Sequence, residues 1–399
     1  MKRIFIMVLC VFQSIRRGWI KLSGKTEQDI HNRRVVNGTA WTEFCENLKS
    51  AGAALVYPGA PQDPAQQAEG VRYLSRLTRA ALEAFIEYND AKYPVFRQTV
   101  HETIKMGADN PDNHYLNAQI SGNYEYLITG RRNTIHYVGL FTQNGNYGTT
   151  GGLTPCGVLE DDELKIKEDG SFEVILSKDR RGENWLKIED DTSLLMVRQT
   201  YLDRKNERPV DLRIEAIGVE GVPGCITPKQ IDEGLNIAGL FIAGAPMLFS
   251  KWARGFQKHT NRLPMFDPRI SNAAGGDANI IYYHSHWKLD KDQALVINAV
   301  PPKCDTWNFQ LNNYWMESLD YRYYTICLNS HSAKKNSDGS ITVFVSHKDP
   351  GHPNWIQTAG HHEGTMCWRW YRPVSDPPKE IDAQTVNVED LKDMNYAET

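Results

Sequence analysis

Apolar residues recur at helical spacing early in the chain: Val71, Leu74 and Leu77, then Leu82, Phe85 and Tyr88. Such a stripe predicts a helix that buries one face. Glu69, Arg72, Arg76, Arg79 and Glu83 follow the same spacing on another face, which predicts a solvated, salt-bridged surface, with anion binding as the alternative. The helical pattern spans 41–88 and is broken by Pro58-Gly59-Ala60-Pro61 and Pro64. It stops at Tyr93-Pro94. Asp109-Asn110-Pro111-Asp112-Asn113 then reads as a dense turn, and it lacks the ligand spacing of an EF-hand calcium loop. Strand-like runs at 124–128 and 134–141, around Gly130-Arg131-Arg132-Asn133, predict a hairpin.

The pattern becomes helical again at Thr227-Pro228-Lys229-Gln230, where Thr caps, Pro suits the first position and Gln completes a capping box. Residues 235–249 are nearly all apolar, a run shorter than the roughly 20 residues of a membrane span. A buried connector that bends or stops at Gly244 and Pro246 is expected, with a lid or membrane-skimming element as the alternative. Six strands are predicted beyond it, at 280–283, 294–300, 307–315, 323–328, 341–345 and 365–370. The polar, acidic end after Pro373 reads as a loose tail.

One part of this pattern is written twice. Asp169-Gly170-Ser171-Phe172-Glu173-Val174-Ile175-Leu176-Ser177 is answered by Asp338-Gly339-Ser340-Ile341-Thr342-Val343-Phe344-Val345-Ser346. Each copy passes a Lys-Asp pair (Lys178-Asp179, Lys348-Asp349) and reaches Asn184-Trp185 or Asn354-Trp355. Each ends on a strand-like segment with Arg198 and Tyr201, or Arg369 and Tyr371. The repeat predicts two related units of turn, strand, loop and returning strand. The expected fold is therefore mainly β with a helical N-terminal region, two related jelly-roll-like β-sandwich units being joined by an apolar helix. The expected boundaries are a poorly defined segment 1–35, a helical region 36–95, a first β unit 96–226, a connecting helix 227–260, a second β unit 261–375 and a polar tail 376–399.

Composition changes this picture little. A chain of 399 residues with net charge −4 and no basic stripe gives no reason to expect nucleic acid. Its 10 Trp, 18 Tyr and 13 Phe suit sandwich packing first and an aromatic-lined pocket second. The 7 cysteines are scattered without a C-x-x-C pair, which points to buried thiols of a reducing compartment. Lys2-Arg3 and the short apolar run after them resemble a signal peptide, yet no small-residue cleavage site follows and Arg16-Arg17 arrives at once. A cytoplasmic location is expected, with export as the alternative, in which case Asn37-Gly38-Thr39 would be a glycosylation sequon.

Four pieces of the second half together resemble the family called domain of unknown function 1214. They are Pro301-Pro302-Lys303-Cys304-Asp305-Thr306-Trp307, Asp338-Gly339-Ser340, Asn354-Trp355 and Arg369-Trp370-Tyr371-Arg372-Pro373. The rest is similar to longer bacterial members that carry an amino-terminal helical and β region. The resemblance implies β-sandwiches with jelly-roll-like sheets, often oligomeric. It implies no agreed activity and carries over no catalytic residue. This chain departs from the family pattern at Gly360-His361-His362-Glu363-Gly364.

Seven of the 12 histidines fall between His284 and His362. His284 and His286 lie two apart on a strand and share a face, an arrangement that suits a cupin-like divalent metal site. The first repeat has Glu189-Asp190-Asp191 where the second has His361, His362 and Glu363, a group able to do acid–base work near neutral pH. The leading expectation is an enzyme acting on a small hydrophobic molecule (lipid-, terpenoid- or aromatic-like) by hydrolysis, elimination or isomerisation. His361, His362 and Glu363 are its catalytic candidates. Trp315, Asn354, Trp355, Arg369 and Tyr371 are its ligand-binding candidates, and His284 and His286 are candidates for a metal. No organic cofactor is implied, and no stable membrane span is expected. The alternatives are a non-catalytic ligand-binding or self-assembling sandwich, homo-oligomeric in the latter case, and a cupin-like metal enzyme.

Overall fold

The computed structural model describes residues 26–146, 152–273 and 276–393. The signal-like start lies outside them, as does part of the glycine-rich segment 145–152. The chain begins with three helices, α1 (Glu27–Val36), α2 (Thr39–Ala51) and α3 (Pro64–Leu82). The first unit follows as β1 (Arg97–Val100), β2 (Asn113–Gln119), β3 (Tyr126–Arg131), β4 (Tyr137–Asn146), β5 (Gly152–Leu159), β6 (Ser171–Ser177), β7 (Trp185–Lys187), β8 (Thr192–Thr200) and β9 (Asp211–Ala216). A long helix α4 (Pro228–Phe256) leads to the second unit. That unit comprises β10 (Leu263–Pro264), β11 (Ile280–Lys288), β12 (Gln293–Ala299), β13 (Thr306–Asn312), β14 (Cys327–Asn329), β15 (Ile341–Ser346), β16 (Trp355–Gln357), β17 (Glu363–Tyr371) and β18 (Glu380–Asn387).

The two units are built alike. The first packs sheet β1-β2-β8-β4-β5 on sheet β7-β6-β3-β9; the second packs β11-β17-β13-β14 on β10-β18-β12-β15-β16. In each, the repeated strand pairs in parallel with the short Asn-Trp strand, β6 with β7 and β15 with β16, while the neighbouring pairs are antiparallel. The duplicated residues explain why. Asn184 Nδ2 donates to the carbonyls of Lys165 (2.8 Å) and Glu173 (2.9 Å), and its Oδ1 accepts from Lys165 N (2.7 Å). Asn354 repeats this with Lys334 O (2.8 Å), Thr342 O (2.9 Å) and Lys334 N (2.8 Å). Each Asn thus fastens a loop to its strand with three hydrogen bonds. Replacing either with alanine should leave those backbone groups unpaired and cost about 2 kcal/mol. Urea unfolding of N184A and N354A checks this, and a loss near zero in either would deny the shared role.

Apolar faces close each sandwich. Phe172, Val174 and Leu176 meet Tyr126, Ile128, Val138 and Leu140 in the first core. Trp287, Trp307, Trp368 and Trp370 fill the second, with Trp307 stacked on Trp368 at 4.8 Å.

Three expectations change here. The runs at 124–128 and 134–141 are not a hairpin, since β3 pairs with β6 and β9 while β4 pairs with β5 and β8 in the opposite sheet. Their apolar residues face each other across the core instead. Helix α4 does not stop at Pro246, and runs for 29 residues. An interior proline costs about 3 kcal/mol, but Leu235, Ala238, Ile242, Ala253 and Phe256 are all buried along α4 and hold it through. At this length α4 is apolar and long enough to cross a membrane by size and composition, although part of its apolar surface is buried inside the protein. Finally, residues 380–387 of the polar tail are not loose: β18 pairs with β10 and β12 and lies between them in the second unit's five-stranded sheet.

The helices lock onto this frame through charge. Asp232 of α4 is buried between His31 (2.7 Å) and Arg34 (3.0 Å), and Arg34 also pairs with Glu43 (2.7 Å). The arginine row of α3 is only partly a solvated face. Arg72 and Arg79 pair with Glu69 and Glu83 along the helix, whereas Arg76 reaches the fully buried Glu317 at 2.7 Å. Gly70 is where α3 meets the second unit, since a Cβ there would sit 2.7 Å from the Trp315 ring.

Candidate functional site

A cavity of about 230 Å³ lies where the two units meet beneath α4. Its walls follow from strand register. On β2 and β8, Tyr115 stands opposite Arg198; on β11 and β17, Tyr282 stands opposite Arg369. Each repeat therefore contributes one Tyr–Arg pair to the same cavity, together with Tyr371 and Asn113. Phe249 and Trp252 of α4, with Met106 and Met196, supply the apolar surface.

The two guanidinium groups differ in one respect. Arg198 is ion-paired with Asp277. Arg369 is 4% exposed and bonds only neutral acceptors: Gln310 Oε1 (2.6 Å), Asn308 Oδ1 (3.2 Å) and the carbonyl of Ala108. Among the described residues it has no ion pair, although the ring of Tyr282 lies 5.9 Å from its centre. Gly107 and Ala108 both take left-handed backbone (φ 63° and 59°), a conformation unfavourable for alanine. Two bonds hold it there, Arg369 to Ala108 O and Ala108 N to Met316 O (2.7 Å). The Asn-Pro turn expected near Asp112 builds the same wall, because Asn110 Nδ2 donates to Tyr371 Oη (2.6 Å) and Asn308 Nδ2 to Asn110 Oδ1 (2.7 Å).

His284 closes one side. Its ring is stacked between Phe256 (5.4 Å) and Tyr282 (5.6 Å), and its Nδ1 is sealed without a hydrogen-bond partner. Burial, reinforced by the Arg369 charge, pushes its pKa down to about 3. Burial likewise raises Tyr282 to about 12. At neutral pH both are uncharged and reluctant to exchange protons, while Arg369 is cationic.

The remaining candidates lie elsewhere. His286 shares a face with His284, but its Nδ1 meets Thr260 Oγ1 at 3.0 Å and its Nε2 lies 3.8 Å from Glu363. Burial lowers its pKa to about 4 against the pull of Glu363. His361 pairs with Glu69 of α3 at 2.9 Å, which raises its pKa against the effect of burial. Glu363 accepts from Gln66 at 2.8 Å. Despite partial burial its pKa is lowered by the bonds from Gln66 and Lys288. His362 is exposed, its ring 5.1 Å from His347. His361 and Glu363 thus tie the second unit to α3, and none of the three lines the cavity. Among the described residues, no group of three or more His, Cys, Asp or Glu side chains is placed to hold a metal, so His284 and His286 lack a completing ligand set. Of the ligand-binding candidates, Arg369 and Tyr371 line the cavity. Asn354 is spent on its turn, Trp355 donates to Ser346 O (3.2 Å), and buried Trp315 donates to Gln66 O (2.7 Å).

Sequence reasoning missed Arg198, Tyr115, Tyr282 and Asp277 as site residues. Arg198 was marked by the repeat itself, as the counterpart of Arg369. Tyr282 was marked by strand alternation, two residues before His284.

The fold and site define a class: a duplicated β-sandwich with an aromatic cavity between its halves. Residues 154–203 and 286–375, one stretch from each unit, match the family described as "Protein of unknown function (DUF1214)", and the chain belongs to it. A crystal structure of an uncharacterised protein from Burkholderia cenocepacia is 45% identical with a TM-score of 0.86, the match covering 90% of this chain and 99% of that one. The VPA0106 protein from Vibrio parahaemolyticus is 11% identical with a TM-score of 0.46, over 86% of this chain and 100% of its own. No curated protein matches.

Proposed function

We propose that this protein binds a small molecule with an apolar body and an anionic head, most simply a carboxylate, in the cavity between its units. One observation carries the reading: Arg369 is a buried cation that hydrogen-bonds only neutral acceptors while lining the cavity. A buried charge without an ion-pair partner is costly, and the carboxylates of Asp109 and Asp112 act on Arg369 only through space, without bonding it. An incoming carboxylate would supply that charge in the bidentate geometry a guanidinium favours. The rings of Tyr282, Phe249 and Trp252, with Met106 and Met196, suit the apolar body expected from the sequence.

Binding is better supported than acid–base turnover. The imidazole and phenol nearest the cavity are shifted away from neutrality, and a good general acid or base has its pKa near working pH. Turnover by His361 and Glu363 would need substrate space at the α3 seam, where they are engaged with Glu69 and Gln66, while His362 is exposed beside His347.

Solvent extraction of the purified protein followed by mass spectrometry should yield an acidic small molecule near equimolar amount. Met196→Trp, which fills the cavity from β8, should lack it. Equal yields from both proteins would refute the reading.

A further inference from the structure

A second chamber, of about 180 Å³, adjoins the first, and Val100 and Met106 line both. The two share a floor. Along one face of β8, Arg198 and Met196 belong to the first chamber and Leu194 to the second; opposite them on β2, Tyr115 lies in the first, and Asn117 and Gln119 in the second. With strand residues rising about 3.3 Å each, the floor from Tyr115 to Gln119 runs roughly 13 Å.

The far chamber is apolar (Phe85, Tyr88, Phe241 and Leu194) except for one group of polar residues. Arg97 stands opposite Asn117 in register. Its Nη1 is sealed from solvent with no hydrogen-bond partner, and so is Asn117 Oδ1. Among the described residues Arg97 forms no ion pair. Glu83, whose charge acts on it, is 3.6 Å from Arg79 instead. Burial nonetheless lowers the Arg97 pKa, as expected for a cation without a close counter-charge. Turned by half a rotation, the Asn117 amide would present N–H donors beside it. Each chamber thus has one guanidinium without an ion pair among the described residues, Arg369 of β17 in the first and Arg97 of β1, beside Asn117, in the second, with Val100 and Met106 between.

We propose that the two chambers hold one elongated ligand with a carboxylate at each end, one on Arg369 and the other on Arg97, its aliphatic or aromatic middle lying past Val100 and Met106. This rests on the cavity being the ligand site. A monoacid satisfies one arginine and leaves the other without an ion pair; a diacid of matching length satisfies both.

Titration calorimetry of the purified full chain tests it with hexane-, octane- and decanedioate, each against the corresponding monocarboxylate. At the best length the diacid should bind at least about tenfold tighter than its monoacid, the worth of one charge-assisted bond. In Arg97→Gln that preference should vanish, and Arg97→Lys should restore part of it. Among the described residues Arg97 makes no side-chain hydrogen bond, so thermal unfolding should show R97Q folded and no less stable. Diacids that never exceed their monoacids, or a preference that survives R97Q, overturn the second carboxylate while leaving the first site standing. If no acid of either series binds and Met196→Trp changes nothing, the ligand reading itself fails, and this inference with it.

Discussion

Arg369→Gln is expected to weaken binding of a straight-chain carboxylate such as octanoate by about one to two orders of magnitude, while ligand-free stability changes by less than about 1 kcal/mol. Glutamine retains a donor for the Ala108 carbonyl, and the Ala108 N bond to Met316 O is untouched, so the left-handed turn at Gly107 and Ala108 keeps both its fasteners. It also removes a buried positive charge that the empty protein must carry without an ion pair, which offsets the lost bonds to Gln310 and Asn308. The two measurements therefore separate. Were Arg369 mere scaffolding, the substitution would cost several kcal/mol in urea unfolding and leave octanoate affinity alone; that pairing of results would sink the site. Arg198 makes a useful contrast. Removing it strands Asp277 without its cation, so Arg198→Gln should damage stability more than Arg369→Gln does.

How much of this was legible in the chain depends on how local the determining contacts are. The Asp-Gly-Ser turns and the Asn-Trp loops are fixed by bonds within about twenty residues, and the repeat exposed them directly. Thr227 caps α4 as its sequence requires, accepting from Gln230 N at 3.2 Å. The supposed hairpin failed because nothing local says which sheet a strand joins; β3 and β4 are separated by the demands of a core that each faces from opposite sides. Strand β18 was invisible for a different reason. It is half-exposed, burying mainly Ile381, so its residues carry almost no apolar alternation.

The site followed the same division. Arg369 and Tyr371 stood out because they end the repeat. Comparing the two copies suggested that what differs, His361 to Glu363, carries function and that what is shared carries the fold. The proposed site runs the other way, because the shared arginine of each unit lines the cavity between them. In a duplicated protein the seam between copies is a new surface lined by old residues. Met106, Phe249 and Asp277 reach it from three distant segments, and no spacing in the sequence announces them.

The pH profile offers the other large effect. His284 titrates near 3 in the folded protein against an ordinary value of 6.5, because burial and Arg369 oppose its charged form. Between those values the unfolded chain binds a proton that the folded one refuses. Folding therefore loses stability as pH falls through the window, by about 1.4 kcal/mol per pH unit and up to about 5 kcal/mol in all. His286, lowered to about 4, acts in the same direction. Asp112, raised by burial to about 6, acts oppositely below that pH, since its folded form keeps the proton longer, but its shift is smaller than that of His284. Phenylalanine at position 284 would keep the stack between Phe256 and Tyr282, remove the sealed Nδ1 and abolish the titration. Urea unfolding at pH 7 and pH 5 should show His284→Phe losing about 2 kcal/mol less than the native protein over that interval. Identical losses would mean that His284 is hydrated in solution. The ring box would then be open to water, and the cavity beside it would not be the desolvated space in which an unpaired arginine draws in an anion.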